Sequence, residues 1–173
     1  MQQKYSLAQR IIHWLSAFLL AAAVVLGFML EEMGEWALNA HVVAGVSVLA
    51  LTCFRIILHW RIKRPEYPPH IDAFSIKAAK LAQYAMLSLL LAQPVLGLVI
   101  YNLPHTVETK TEYTSDGRQV IEREIEYNSE AGETLAEAHE AIAMILLMLI
   151  ALHVAGFFKH LLIGRTNLLT RIT

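Results

Sequence analysis

Apolar residues along the chain are gathered in four long blocks separated by polar segments. Each block has about the 20 residues that a helix needs to cross the hydrocarbon core of a bilayer. Because the backbone must satisfy its own hydrogen bonds in lipid, the pattern predicts four transmembrane helices. We expect an all-α membrane protein, a four-helix bundle forming one domain over 1–173, with helices at about 11–30, 40–60, 78–102 and 139–163.

The polar segment 103–138, between the third and fourth helices, has a different pattern. VETKTEYT and QVIEREIEY alternate in polarity and are rich in Val, Ile, Thr and Tyr. Asp116 and Gly117 stand between them, and such a dipeptide between alternating runs is typical of a tight hairpin turn. The segment therefore predicts a β-hairpin-like insertion outside the membrane.

Composition agrees with a membrane protein. Hydrophobic residues make up 56% of the chain, and the mean hydropathy is +0.47, which is more apolar than a typical soluble domain. We expect contacts with membrane lipid and no nucleic-acid partner. The single cysteine, Cys53, excludes a disulfide within the chain.

Charged residues divide unevenly between the two ends of the predicted helices. The side formed by the N-terminus, the second loop and the C-terminus holds 11 of the 14 basic residues, and the other side holds 13 of the 15 acidic ones. Short loops rich in Lys and Arg stay in the cytoplasm. We therefore expect both termini to be cytoplasmic and the hairpin to be periplasmic.

Six of the eight histidines fall within the bounds of the predicted helices, and four of them lie at two distinct depths. His41 and His139 stand near the outer starts of the second and fourth helices, and His13 stands near the inner start of the first. His153 follows His139 by 14 residues, roughly 21 Å along the axis and nearly four turns, so the two share a face. Ionisable residues at such depths are costly and usually have a function.

These histidines pair by depth, His41 with His139 and His13 with His153. Imidazoles facing each other inside a helix bundle are suitable ligands for haem iron. The pattern predicts two b haems, one above the other, each with two axial histidines. Such iron has no open coordination position, which favours electron transfer over oxygen chemistry. The alternative is that the histidines are structural and the protein holds no haem.

Several stretches together resemble the bacterial di-haem cytochrome b561 family of quinone-linked inner-membrane proteins. They are KYSLAQRIIHW, HVVAGVSVLALTCFRIILHW, AQPVLGLVIYN, HEAIAMILLMLIALH and NLLTRI. The resemblance covers nearly the whole chain. Its axial ligands match His13, His41, His139 and His153, and it implies a multi-pass protein of the bacterial inner membrane.

The resemblance also implies a quinone site, for ubiquinone, at the cytoplasmic haem. His160, seven residues after His153, matches a family histidine near the quinone. Arg10 and Arg55 lie towards the same side and are candidates for pairing with the propionates of the inner haem. Snorkelling to lipid headgroups is the alternative for Arg10. Gly97 in the third helix predicts a close approach of a neighbouring group.

The sequence leaves several alternatives for the electron donor. Some family members oxidise superoxide and reduce ubiquinone, but the outer loops of this chain are acidic and would repel that anion. An acidic hairpin favours a basic soluble periplasmic redox protein as donor. Superoxide oxidation is the alternative, and a haemless membrane module that docks a soluble partner is the alternative from another class.

Overall fold

The computed structural model describes residues 4–62, 65–67, 71–103, 105–113, 120–128, 130–163 and 167–173. Over these residues the chain forms four long helices: α1 (Leu7–Phe28), α2 (Leu30–Arg61), α3 (Ala73–Tyr101) and α4 (Glu130–Leu162). All four are long and apolar enough to cross a membrane. The predicted four-helix architecture is thereby confirmed. The predicted turn at Asp116 and Gly117 lies outside the described residues.

The first outer loop predicted from the sequence is instead the beginning of α2. Only Met29 separates α1 from α2, and the helix continues through a kink at Gly34, whose φ is 59°. Glycine tolerates this left-handed conformation because it has no Cβ. Glu31 and Glu32 lie in the first turn, where negative charge is favourable to the helix dipole. Hydropathy alone does not detect such a polar helical start.

The other three helices also begin before the expected positions, and α1 begins at Leu7 rather than near 11. Asp72 caps α3 by accepting a hydrogen bond from the Ser75 backbone N–H at 2.8 Å, so α3 begins at Ala73 rather than near 78. The helix α4 begins at Glu130 rather than near 139, with Glu133 also in its first turn. The α4 extension is rich in glutamate, whereas the α3 extension is mostly apolar and is recognised by its Asp72 cap.

Two antiparallel strands connect α3 to α4. They are β1 (His105–Tyr113) and β2 (Val120–Asn128), paired from His105 with Asn128 through to Tyr113 with Val120. The alternation of the sequence therefore indicated the strands correctly. The side of the membrane on which they lie stays a prediction.

Helix packing follows the chain order: α1 packs on α2, α2 on α3 and α3 on α4. The residues buried between helices are mostly small, including Ser16, Ala23, Ala44 and Thr52, as is usual where membrane helices approach closely. Among the described residues, α4 makes no close backbone contact with α1 or α2. Side chains therefore have to bridge the space between α4 and the first helix pair.

A short 3-10 helix, Leu168–Arg171, packs against α4, and hydrogen bonds link its end to the beginning of α1. The Tyr5 backbone N–H donates to the carbonyl of Arg171, and the Trp14 indole donates to the carbonyl of Ile172, both at 2.9 Å. The buried guanidinium of Arg171 donates to the carbonyl of Glu66 at 2.7 Å. The beginning of α1, the second loop and the end of the chain thus meet at one end of the bundle, hereafter the inner end.

Candidate functional site

His41 of α2 and His139 of α4 meet across the space between their helices. Their ring centroids are 6.2 Å apart and their planes are inclined at 70°. Both residues are half-buried. Because the described parts of α2 and α4 do not pack against each other directly, the two imidazoles form the bridge between them. The structure thus brings together the pair that was predicted for the outer level.

A backbone carbonyl orients the ring of His41. Its Nδ1 lies 2.7 Å from the carbonyl oxygen of Ala23 in α1. A carbonyl can only accept, so Nδ1 carries the proton in this hydrogen bond. In the neutral ring Nε2 is then unprotonated and able to bind a metal. This is the usual way in which a second hydrogen bond fixes the tautomer of a ligating histidine.

A glycine of the preceding helix faces each ring of the outer pair. A Cβ on Gly27 would lie 3.3 Å from Cε1 of His41, and a Cβ on Gly97 would lie 3.0 Å from Cε1 of His139. Both distances are tighter than ordinary van der Waals contact. The close approach predicted at Gly97 is therefore an approach to His139, and glycine is the residue that leaves room for the ring.

The side chain of Gln93 in α3 contacts His139 one turn before Gly97. Its Nε2 donates to the backbone carbonyl of His139 at 2.8 Å. Its Oε1 and the Nδ1 of His139 are both buried without a hydrogen-bond partner. Gln93 was not predicted from the sequence, although it belongs to the AQPVLG stretch. The signal in the sequence was a polar amide side chain directly before Pro94 in an otherwise apolar helix.

At the other level, Arg55 of α2 lies within electrostatic range of His13 in α1 and of His153 in α4, and His153 lies within the same range of His13. His13 is half-buried, whereas His153 lies exposed on the surface of α4. Three helices therefore contribute to an inner cluster about 21 Å along α4 from the outer pair.

Comparison with known proteins shows the family of this chain. The family model for prokaryotic cytochrome b561 matches residues 4–173. The chain belongs to the prokaryotic cytochrome b561 family. It is also 24% identical over 176 residues to the probable superoxide oxidase CybB of Yersinia pestis, covering 99% of this chain and 97% of that protein.

Membership in the cytochrome b561 family agrees with the resemblance found in the sequence. This chain is a multi-pass protein of the bacterial inner membrane, and its family implies haem b and transmembrane electron transfer linked to quinone. The family match leaves the number of haems, the donor and the individual ligands of this chain as predictions.

The outer pair of this cytochrome fits a haem iron. Metal–imidazole bonds of about 2.0–2.1 Å would place two rings on opposite sides of one metal with centroids on the order of 6 Å apart, close to the observed 6.2 Å. Among the described residues, His, Cys, Asp and Glu form no group of three or more suited to a bare metal ion. Paired histidines instead suit an iron whose other ligands come from a porphyrin.

The structure also places Arg10 and His160, the two other residues with predicted roles at the inner end. The Arg10 guanidinium donates to the carbonyl of Thr173, and its Nε is buried without a partner. Arg10 is thus held by the docked end of the chain, and pairing with a propionate stays a prediction. His160 lies half-buried in the last turn of α4, and its role near a quinone also stays a prediction.

Proposed function

We propose that this cytochrome carries electrons across the inner membrane through two bis-histidine b haems. His41 and His139 would hold the outer haem, and His13 and His153 the inner one. Electrons would enter from a periplasmic donor and leave to ubiquinone at the inner end, which the positive-inside rule places in the cytoplasm. The supporting observation is the His41–His139 pair, which joins two helices that otherwise lack close contact.

The protein's contribution is to hold and tune the two centres. When bound, haem iron supplies the one-electron chemistry by alternating between its ferric and ferrous states. The hydrogen bond from His41 to Ala23 holds one ring in a ligating tautomer. Arg55 places a positive charge beside His13 and His153, where it would attract an anionic propionate and favour the reduced state of the inner centre.

The decisive experiment is the haem content of the purified protein, measured as pyridine haemochrome. We expect two b haems per chain in the wild type and one in both His139→Ala and His153→Ala. His59→Ala, a histidine of α2 outside both pairs, is the matched control and should keep two. A wild type that holds no haem after expression with ample haem supply would favour the haemless docking module instead.

The hairpin supports a basic soluble redox protein as the donor. The sequence of β2 has glutamate at every second position, Glu122, Glu124 and Glu126, and the first turn of α4 adds Glu130 and Glu133. A surface with this charge attracts a cationic partner and speeds its association. If so, the rate of haem reduction by a basic cytochrome should fall steeply with added salt, and reversing the three strand glutamates to lysine should abolish that salt dependence.

Superoxide is the second candidate donor, favoured by the name of the Yersinia pestis relative. The same acidic residues would oppose the arrival of an anion. Haem reduction should therefore be followed with superoxide and with a basic cytochrome in parallel. Faster reduction by superoxide, with no effect from the lysine substitutions on the hairpin, would favour superoxide oxidase activity over a protein donor.

A further inference from the structure

The ring of His139 leaves one hydrogen-bonding atom without a partner. If Nε2 binds iron, the neutral ring must carry its proton on Nδ1, and a buried N–H needs an acceptor. Nδ1 of His139 is buried and has no partner. The opposite ligand is different, because Nδ1 of His41 already bonds to the carbonyl of Ala23. The two outer imidazoles therefore differ: His41 has a short hydrogen bond to a carbonyl, whereas His139 has only a weaker interaction with the backbone of Gln93.

Gln93 leaves a complementary atom unpaired beside the same residue. Its amide N–H donates to the carbonyl of His139 at 2.8 Å, and since a carbonyl only accepts, this contact determines which end of the amide is the nitrogen. The remaining atom, Oε1, is a buried acceptor without a partner. A buried donor-capable nitrogen on His139 and a buried acceptor on Gln93 thus belong to two residues already in contact.

The two outer histidines have similar surroundings on their neighbouring helices. In α1, Ala23 supplies the acceptor for His41 and Gly27, four residues later, gives the ring room. In α3, Gln93 lies four residues before Gly97, which gives room to His139. Residues four apart share a helix face. The Ala23 carbonyl in the first pair thus corresponds to the Gln93 backbone, which interacts with the His139 ring, and the unpaired Oε1 of Gln93 is a second acceptor at the same place.

We propose that Gln93 is the positioning residue for His139, a role that rests on the proposed haem ligation. With haem bound, Nδ1–H of His139 donates to Oε1 of Gln93 while the Gln93 amide keeps its bond to the His139 carbonyl. The side chain then holds both the backbone and the ring of the ligand. A hydrogen bond of this kind makes the imidazole a stronger donor to iron, which stabilises the ferric state and lowers the potential of the outer haem.

Two substitutions separate this role from simple packing. Gln93→Leu removes both donor and acceptor, and we expect a higher midpoint potential for the outer haem together with a 10- to 100-fold loss of its affinity for the chain. Gln93→Glu keeps an acceptor of nearly the same shape, and we expect it to retain the haem at a lower potential. The inner haem, identified from its spectrum in His139→Ala, should keep its potential in both variants.

Ser88→Ala is the matched control in the same helix, because the exposed Ser88 hydroxyl donates to the carbonyl of Tyr84 one turn earlier, within α3 itself. It should leave both potentials unchanged. An unchanged outer potential in Gln93→Leu, or a shift of the same sign in Gln93→Leu and Gln93→Glu, would overturn the proposal. If Gln93→Leu does not assemble, Gln93→Glu tests the proposal alone. An outer-haem potential in Gln93→Glu that equals or exceeds that of the wild type would contradict the positioning role of Gln93.

These outcomes are distinct from a failure of the proposed function. A wild type without haem would remove the premise and would be seen in the haemochrome measurement before any Gln93 variant is made. A wild type with two haems and an outer potential that does not respond to Gln93→Leu would leave electron transfer intact and remove only the positioning role.

Discussion

A methyl group added to Gly97 would stand 3.0 Å from Cε1 of His139. The α3 backbone thus approaches the imidazole about as closely as a helix can. This contact, together with the Gln93 hydrogen bond, is how α3 confines a ligand that belongs to α4.

The first prediction concerns that contact. Gly97→Ala should displace the His139 ring and reduce the haem content from two to one per chain, because the clashing atom belongs to a confined ring. In an uncrowded helix the same change would stabilise by about 1 kcal/mol. Val99→Ala, at an exposed position of the same helix, is the control and should keep two haems. Two tightly bound haems in Gly97→Ala would contradict the prediction.

The second prediction is that Gly27→Ala disturbs the outer haem less than Gly97→Ala does. A Cβ on Gly27 would lie 3.3 Å from Cε1 and 3.4 Å from Nδ1 of His41, so the ring has to move only by a few tenths of an ångström. Gly27→Ala should keep both haems but lengthen the hydrogen bond from His41 to Ala23, which a redox titration would detect as a raised potential of the outer haem. A greater loss of haem in Gly27→Ala than in Gly97→Ala would reverse the expected order.

The third prediction concerns the docked end of the chain. Arg171 is buried, donates to the Glu66 carbonyl and lies over the Tyr5 ring at 5.7 Å. Arg171→Ala should lower the free energy of unfolding by about 1.5–3 kcal/mol, the range for a hydrogen bond from a charged group. Unfolding of the wild type and of Arg171→Ala in detergent micelles would measure this difference in free energy.

A matched arginine controls for the loss of charge. Arg61, exposed at the end of α2, should change stability by only about 0.5 kcal/mol when replaced by alanine. Arg171→Lys should not restore stability, because an ammonium lacks the planar fork of the guanidinium. Equal effects of Arg61→Ala and Arg171→Ala would show that the docked segment adds no specific stability.

The fourth prediction concerns pH. Hydrogen bonds from the side chain and then the backbone of Ser75 hold the pKa of Asp72 below its usual value. A carboxyl whose pKa is lower in the folded state stabilises the fold above its unfolded pKa, and that contribution is lost as the pH falls through the folded value. We expect the capping contribution to fade as the pH drops below about 4.

Comparison with a non-titrating cap isolates this effect. Asn caps helices about as well as Asp, so Asp72→Asn should remove the part of the acid-dependent loss that comes from this residue. Unfolding free energies of both proteins, measured from neutral to acid pH, test it. Identical pH profiles for the two proteins would exclude Asp72 as a source of acid sensitivity.

Helix count and histidine depth were readable from the sequence because both follow from one-dimensional spacing. An apolar span has to match the bilayer thickness, and the 14 residues between His139 and His153 set their separation along one helix. The polar starts of α2 and α4 were not readable in this way, because hydropathy reports the lipid-facing part of a helix and not its continuation into water.

Contacts between helices depended on the tertiary structure. No pattern along α3 shows that Gln93 and Gly97 face His139, since the rotation of a helix is decided by packing against its neighbours. The hydrogen bond between Arg10 and Thr173 likewise joins the two ends of the chain. The sequence by itself determined what crosses the membrane and at which depth the imidazoles lie. Only the tertiary structure decided which atoms hold each ring, because those atoms come from helices whose relative rotation is a property of the packed bundle.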